Sequence, residues 1–269
     1  MEFALDHITV TDTTPSQLVQ VAADTGYRGV CMFLEPMEVL PRLPPFDLYG
    51  ATEERRKTKA LLNDLGITLD LAYPFTLAGR TDVAAFEPVL ETAAFLGAKA
   101  VNVLAYDRNS QRRQENFAAF CDLALGHGLD VVVEFYPVSQ ASTLADGLAL
   151  TAAYGAPGRV GVNLDLLHLI RSGGRLDDIA AASADALLYA QFCDGAAVVL
   201  PEGPDFEASS QRLYPGEGTF DVAGFARALP AGIRTSIEIP RDDLLSAGVP
   251  VVERARRALA TTRAALAAS

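Results

Sequence analysis

Eight times along the chain a short run of β-branched or apolar residues gives way to a longer stretch rich in Ala and Leu, and few architectures accommodate that repeat. The short runs are Phe3–Thr9, Arg28–Leu34, Ile67–Ala72, Ala100–Leu104, Leu129–Glu134, Arg159–Asp165, Ala186–Phe192 and Arg234–Glu238. The stretches between them predict helices near residues 15–25, 52–65, 82–97, 111–127, 142–154, 175–184, 220–229 and 249–266. Gly26, Gly66, Gly97 and Gly128 stand where helix C-caps are needed. Strict strand–helix alternation implies parallel strands, because parallel neighbours require a crossover. Eight such units predict closure into an α/β fold of the (β/α)₈ TIM barrel type. An open doubly wound sheet is the competitor, but it usually carries a Gly-rich phosphate turn after its first strand, and here that place holds Thr9-Val-Thr-Asp-Thr-Thr-Pro15.

No linker or shift in composition divides residues 1–269, so one barrel domain is expected, and with 50% hydrophobic residues it can bury a large core. The one long irregular stretch, Asp194 to Gly218, falls after the seventh strand and is expected to open on the C-terminal face, where barrel active sites are built. The net charge of −12, with no run of Lys or Arg, argues against a nucleic-acid partner. Cys31, Cys121 and Cys193 lack metal-like spacing and Met1-Glu2-Phe3 shows no signal pattern, so a reducing cytoplasm is expected. No apolar stretch reaches the roughly 20 residues of a membrane span. The sequence leaves a homo-oligomer open.

The chemistry-bearing residues lie at strand ends. Glu134, Asp165 and Glu238 each close an apolar run, and Gln191 does the same on the seventh strand. One such residue is as easily a satisfied core polar group. Four on consecutive strands of one barrel half point their oxygens at a common volume, where three carboxylates would repel one another without a cation. Three carboxylates and an amide oxygen form a hard oxygen set suited to Mg²⁺ or Mn²⁺, with Co²⁺ also compatible. The absence of His and Cys from the set disfavours a structural Zn²⁺ site.

His168 follows Asp165 by three residues. A lone histidine is ordinarily structural, but beside a proposed ligand at a barrel mouth an acid/base role is the better reading. His127 lies in a helix-to-strand turn on the opposite face and is read as structural, while His7, near the end of strand 1, is balanced between the mouth and the core. Arg212 is a candidate to reach a substrate carboxylate, phosphate or enolate oxygen, its loop fixed by the Pro-Gly-x-Gly that follows. Asp194 is a candidate support for the site, Glu35 is as easily a solvated loop carboxylate, and Tyr73, Tyr106 and Tyr136 are either pocket walls or ordinary packing.

These residues resemble the xylose isomerase-like barrel superfamily, which spans sugar phosphate isomerases and epimerases. The resemblance covers nearly the whole chain and rests on Val131-Val-Val-Glu134, Asn163-Leu-Asp165-Leu-Leu-His168, Ala190-Gln191-Phe-Cys-Asp194, Arg212-Leu-Tyr-Pro215-Gly-Glu-Gly218 and Ser236-Ile-Glu238. It implies Glu134, Asp165, Gln191 and Glu238 as metal ligands and His168 as a pocket residue that contacts substrate. Gln191 in place of a histidine, with the Arg-x-x-Pro-Gly-x-Gly loop, looks most similar to bacterial 3-dehydroshikimate dehydratases. The segment Phe135-Tyr-Pro-Val-Ser-Gln-Ala141 departs from them, holding no Arg or His where they carry basic residues.

The expected activity is therefore metal-dependent isomerisation or epimerisation of a small polyhydroxylated carbonyl substrate through an enolate or enediolate, the trend of the superfamily. A lyase of the dehydratase type, in which the enolate expels a β-hydroxyl, is the alternative. Glu134, Glu238 and His168 are candidate bases, with Arg212 a further catalytic candidate. The partner is a small keto-sugar, sugar phosphate or dehydroshikimate-like molecule. A base-excision endonuclease, which on this fold uses a His-rich trinuclear zinc site, fits poorly with three histidines and a charge of −12.

Overall fold

A computed structural model describes residues 1–268, and in it eight parallel strands close into a barrel in sequence order, β1 pairing with both β2 and β8. The strands are β1 Ala4–Asp6, β2 Gly29–Phe33, β3 Thr68–Leu77, β4 Ala100–Ala105, β5 Asp130–Glu134, β6 Val160–Asp165, β7 Leu187–Phe192 and β8 Arg234–Ile237. The helices are α1 Pro15–Thr25, α2 Glu53–Asp64, α3 Glu87–Leu96, α4 Ser110–Gly126, α5 Leu144–Tyr154, α6 Leu166–Arg171, α7 Leu176–Ala181, α8 Pro204–Ser210, α9 Val222–Ala228, α10 Asp242–Ser246 and α11 Val251–Ala267. The fold is the expected (β/α)₈ barrel. No helix among the described residues is long and apolar enough to cross a membrane.

The two faces of each strand explain why the runs are apolar almost throughout. Leu5, Val30, Met32, Val101, Val131, Val133, Val162, Leu164, Phe192 and Ile237 face outward into the main core under the helices. The alternate positions Ala4, Cys31, Leu71, Ala100, Val132 and Tyr189 form a separate cluster that plugs the barrel axis. Two residues further along, the same inward register brings Asp6, Phe33, Tyr73, Asn102, Glu134, Gln191 and Glu238 to the lining of a cavity at the C-terminal mouth. Polar groups thus replace the apolar layer where the strands reach the open end.

Several boundaries differ from the sequence reading for local reasons. The first strand stops at Asp6 rather than Thr9, because Asp6 accepts the Ile8 N–H and starts a 3₁₀ turn over His7–Val10. The 82–97 stretch divides into a 3₁₀ turn, Val83–Phe86, and α3, which opens with Pro88 in its first turn. Asp165 ends β6 and also caps α6, a short helix that hydrophobic periodicity did not reveal. The Asp194–Gly218 stretch is less irregular than expected. It contains α8, and Asp194 and Leu213 form an antiparallel bridge across its ends. Helices α1 and α3 end at Gly26 and Gly97 with φ of 89° and 91°, the left-handed caps that the sequence indicated.

Candidate metal centre and active site

Asp165 organises one side of the site. As N-cap of α6, its Oδ1 accepts the backbone N–H of His168 at 2.9 Å, which fixes His168 in the first helical turn. That turn brings His168 Nε2 to 3.2 Å from Glu134 Oε1 on β5, with the imidazole against the Tyr136 ring at 4.6 Å between centroids. Ligand-capable atoms of Glu134, Asp165 and His168 lie within 4.8 Å of one another. Glu134 Oε2 accepts from the Asn102 amide, which aims the carboxylate into the mouth.

Arg212 joins the two halves. It lies two residues beyond the end of α8 and is 1% exposed, so it is a buried residue rather than a freely reaching loop arginine. Its Nη1 donates to Asp165 Oδ2 at 2.5 Å, its Nη2 to Glu238 Oε1 at 2.7 Å, and its Nε to the Ala208 carbonyl at 3.0 Å. A buried guanidinium in this fork is held firmly charged, because Asp165 and Glu238 outweigh the cost of its burial.

Gln191 lies between Glu238 and Asp6. Its Nε2 donates to Glu238 Oε2 and, at 3.1 Å, to Asp6 Oδ2, while its Oε1 accepts from Asn163 Nδ2. Asn163 Nδ2 also lies 3.2 Å from Asn102 Oδ1, so a chain of three amides runs beneath the mouth from Glu134 to Glu238. The Oδ1 of Asn163 is buried with no hydrogen-bond partner.

The charge inventory is unbalanced. Four carboxylates, Asp6, Glu134, Asp165 and Glu238, are buried around one guanidinium, which pairs with Asp165 and Glu238 alone. Burial pushes the Glu238 carboxyl well above the usual range despite Arg212, and pushes Asp6 up to about 6 against the hydrogen bond from Tyr73. Burial also works to raise Asp165, but Arg212 and His168 outweigh it and hold that group below its ordinary value.

A divalent cation fits this donor set. It would offset the excess negative charge, and the carboxylates of Glu134, Asp165 and Glu238 are hard oxygen donors. With the amides as placed, Gln191 turns its nitrogen toward the carboxylates. A ligating Gln191 needs the reverse orientation, which sets its Nε2 against Asn163 Nδ2, so the Asn163 amide must turn with it to present its unpartnered Oδ1 as acceptor.

Of the expected ligands, Glu134, Gln191 and Glu238 line one cavity with His168 and Arg212, and the fully buried Asp165 joins that lining through Arg212 and His168, while Glu238 stands outside the close group of Glu134, Asp165 and His168. Tyr73, Tyr106 and Tyr136 line the same cavity, whose volume is about 430 Å³. The other singled-out residues do not enter it. His7 is buried, its Nε2 donating to the Thr13 carbonyl at 2.9 Å while its Nδ1 accepts from Phe33 N at 3.2 Å, and burial lowers its pKa to about 4. His127 pairs with Glu87 on a helix face, and Glu35 accepts from Tyr49. Asp194 accepts the N–H groups of Gly195, Gly216, Gly218 and Phe220, stitching the loop that carries Arg212.

The sequence reading missed Asp6, Asn102 and Asn163. Asp6 is masked because the apolar run continues past it to Thr9, although the Ala4–Asp6 spacing matches Val132–Glu134. Asn102 and Asn163 sit inside apolar runs, where a polar residue in a barrel strand was the available signal.

A sequence model of the xylose isomerase-like TIM barrel family matches residues 19–265. No curated protein sequence matches the chain. Among solved structures, IOLI protein, determined with a zinc atom bound, superposes with a TM-score of 0.78 at 16% identity, over 100% of this chain and 99% of that one. The probable 3-DHS dehydratase AsbF of Bacillus anthracis gives 0.72 at 17% identity, over 97% and 98%. D-allulose 3-epimerase from Methylomonas sp. gives 0.70 at 18% identity, over 99% and 98%. A xylose isomerase-like TIM barrel/4-hydroxyphenylpyruvate dioxygenase fusion protein gives 0.76 at 22% identity, and there the match covers 97% of this chain but only 42% of the longer protein. At these identities the structures share the fold. The match of the family model over nearly the whole chain, on a closed eight-stranded barrel, places this protein in the xylose isomerase-like TIM barrel family.

Proposed function

We propose that the protein is a divalent-metal-dependent isomerase or epimerase that ionises a C–H bond next to a carbonyl in a small polyhydroxylated substrate. The observation that carries this is the convergence of Glu134, Gln191 and Glu238 in one cavity, with the fully buried Asp165 joined to its lining through the Arg212 guanidinium. A bound divalent cation, Mg²⁺ or Mn²⁺ by the oxygen character of the donors, supplies Lewis acidity for the oxyanion that develops. Glu134, Asp165, Gln191 and Glu238 would hold it. Glu134 and Glu238 stand on strands three apart around an eight-strand ring. A carboxylate on each side of a bound carbonyl compound can take a proton from one face and return it to the other, the requirement of an epimerase. His168, 3.2 Å from Glu134, can relay or donate a proton at that end. Arg212 adds fixed positive charge where the oxyanion forms.

The same His168–Glu134 pair favours a second reading. An acid at that position can protonate a departing β-hydroxyl, which turns the enolate into an alkene and makes the enzyme a dehydratase. Proton NMR in D₂O with a panel of keto-sugars and 3-dehydroshikimate tests both. Exchange of an α-proton that requires Mg²⁺ and is lost in Glu134→Gln supports the proposal, with a vinylic product marking the lyase. Metal-replete protein that exchanges no α-proton on any of these compounds would sink it.

A further inference from the structure

The cavity is divided by strand order. Its β5–β8 side carries Glu134, His168, Gln191, Arg212 and Glu238, whereas its β1–β4 side is walled by Ile8, Phe33, Met37, Leu40, Phe75 and Leu104. That second side also carries Asp6 and Asn102 at the floor and the hydroxyls of Tyr73, Thr76 and Tyr106, of which Tyr73 donates to Asp6. Phe33 and Leu40 pack with Ile8 and Met37 in the cluster that plugs the barrel axis, so the wall is a continuous apolar surface. It extends outward to Val39, which lines the rim and is 75% exposed.

The charges around the cavity are equally one-sided. Asp6, Glu134, Asp205 and Glu238 line it, and among the described residues its basic groups are Arg212 and His168, the latter 3.2 Å from Glu134. That guanidinium already donates through Nε, Nη1 and Nη2 to Ala208, Asp165 and Glu238. At the rim, Asp205 accepts from Tyr136 and adds further negative charge above the site. A phosphate or carboxylate remote from the reacting carbonyl would be desolvated among carboxylates with no free cationic partner.

We infer that the substrate is an uncharged hydroxycarbonyl compound carrying a ring-sized apolar body. Its carbonyl and hydroxyl face the β5–β8 carboxylates, and its apolar body lies on the Phe33–Met37–Leu40 wall. The inference rests on the proposed reaction for the position of the polar head, and on the wall and the missing cations for the rest. It narrows the substrate class by removing sugar phosphates and dehydroshikimate-like anions.

Three small probes share one head group: 2-hydroxyacetophenone, dihydroxyacetone and dihydroxyacetone phosphate. Calorimetric titration of the Mg²⁺-saturated protein should rank 2-hydroxyacetophenone at least about tenfold tighter than dihydroxyacetone, the gain expected from burying a phenyl ring. The phosphate should bind no tighter than its neutral parent. Tighter binding of the phosphate, no gain from the phenyl ring, or no measurable binding of 2-hydroxyacetophenone overturns the inference. Deuterium incorporation at the carbinol carbon, followed in the same samples, reports on the reaction separately. The predicted affinity order without exchange leaves the substrate class standing and refutes the enolisation, and exchange with a phosphate preference does the reverse.

Discussion

Replacing Arg212 by Met isolates the electrostatic argument, because it keeps most of the side-chain volume and removes the guanidinium that pairs with Asp165 and Glu238. Breaking a buried ion pair by deleting one partner typically costs about 3–5 kcal/mol, since the remaining charge is left desolvated and unpaired. For a chain of this size each kcal/mol lowers Tm by roughly 2–4 °C, so Arg212→Met in chelator should melt on the order of 10 °C below the wild type. Two carboxylates freed of their guanidinium should then bind a divalent cation more tightly, and a cation at a hundred times its Kd returns about 2.7 kcal/mol. Differential scanning fluorimetry in EDTA and across a Mn²⁺ titration measures both effects. The expected result is a lower starting Tm and a larger Mn²⁺-dependent rise in the variant. A variant that melts within 2 °C of the wild type, by this same scale under about 1 kcal/mol, would refute the view that Arg212 balances a buried negative centre. So would an equal response to Mn²⁺ in both proteins.

Three further outcomes are expected. His168→Ala should lower turnover by roughly 10²–10⁴-fold with Mg²⁺ affinity unchanged by calorimetry, as for an acid/base residue, whereas loss of the cation would make His168 a ligand. Asn163→Leu should weaken Mg²⁺ binding by about 10–100-fold, the usual cost of losing a ligand's supporting partner. Unchanged affinity would show that Asn163 only fills space beneath Gln191. His7, whose pKa is lowered to about 4 from an ordinary 6.5, contributes stability that is complete above pH 6.5 and lost as pH falls toward 4. That loss is about 3 kcal/mol, so His7→Asn should flatten the dependence of the urea midpoint on pH between 4 and 6.5, and an unchanged slope would contradict it.

The barrel was legible because its signal is repeated. Eight apolar runs separated by helical stretches admit few topologies, and errors of a few residues at Thr9 or Leu77 do not change the count. The strand-end carboxylates were legible for a related reason, since Glu134, Asp165 and Glu238 each interrupt an apolar run at its last position. What connects them was not. Arg212 and Asp165 are 47 residues apart, and only the closure of β6 against β7 with α8 folded over the mouth reveals that they pair. The amides of Asn102 and Asn163 were equally hidden, because their role depends on the stagger between neighbouring strands. The burial of His7 depends on where β1 ends, which a single capping side chain decides.

The Asp194 stitch has a consequence for how this protein can diverge. Its carboxylate gathers four backbone N–H groups, and its own backbone bridges to Leu213, so the two ends of the 195–212 segment are pinned together regardless of what lies between. A side chain at Gly218 would place its Cβ 2.3 Å from Asp194 Oδ1, which restricts that position to glycine. The stretch from Val198 to Gly203, by contrast, has Val198 largely open to solvent and Val199 partly so, and among the described residues no such tie. Insertions, deletions or grafts there leave Gln191 and Arg212 in register and can reach the cavity by shifting α8, whose Asp205, Ala208 and Ser209 line it. Laboratory selection for new substrates would therefore find its tolerant sites at the tip of this loop, and its forbidden ones at the knot.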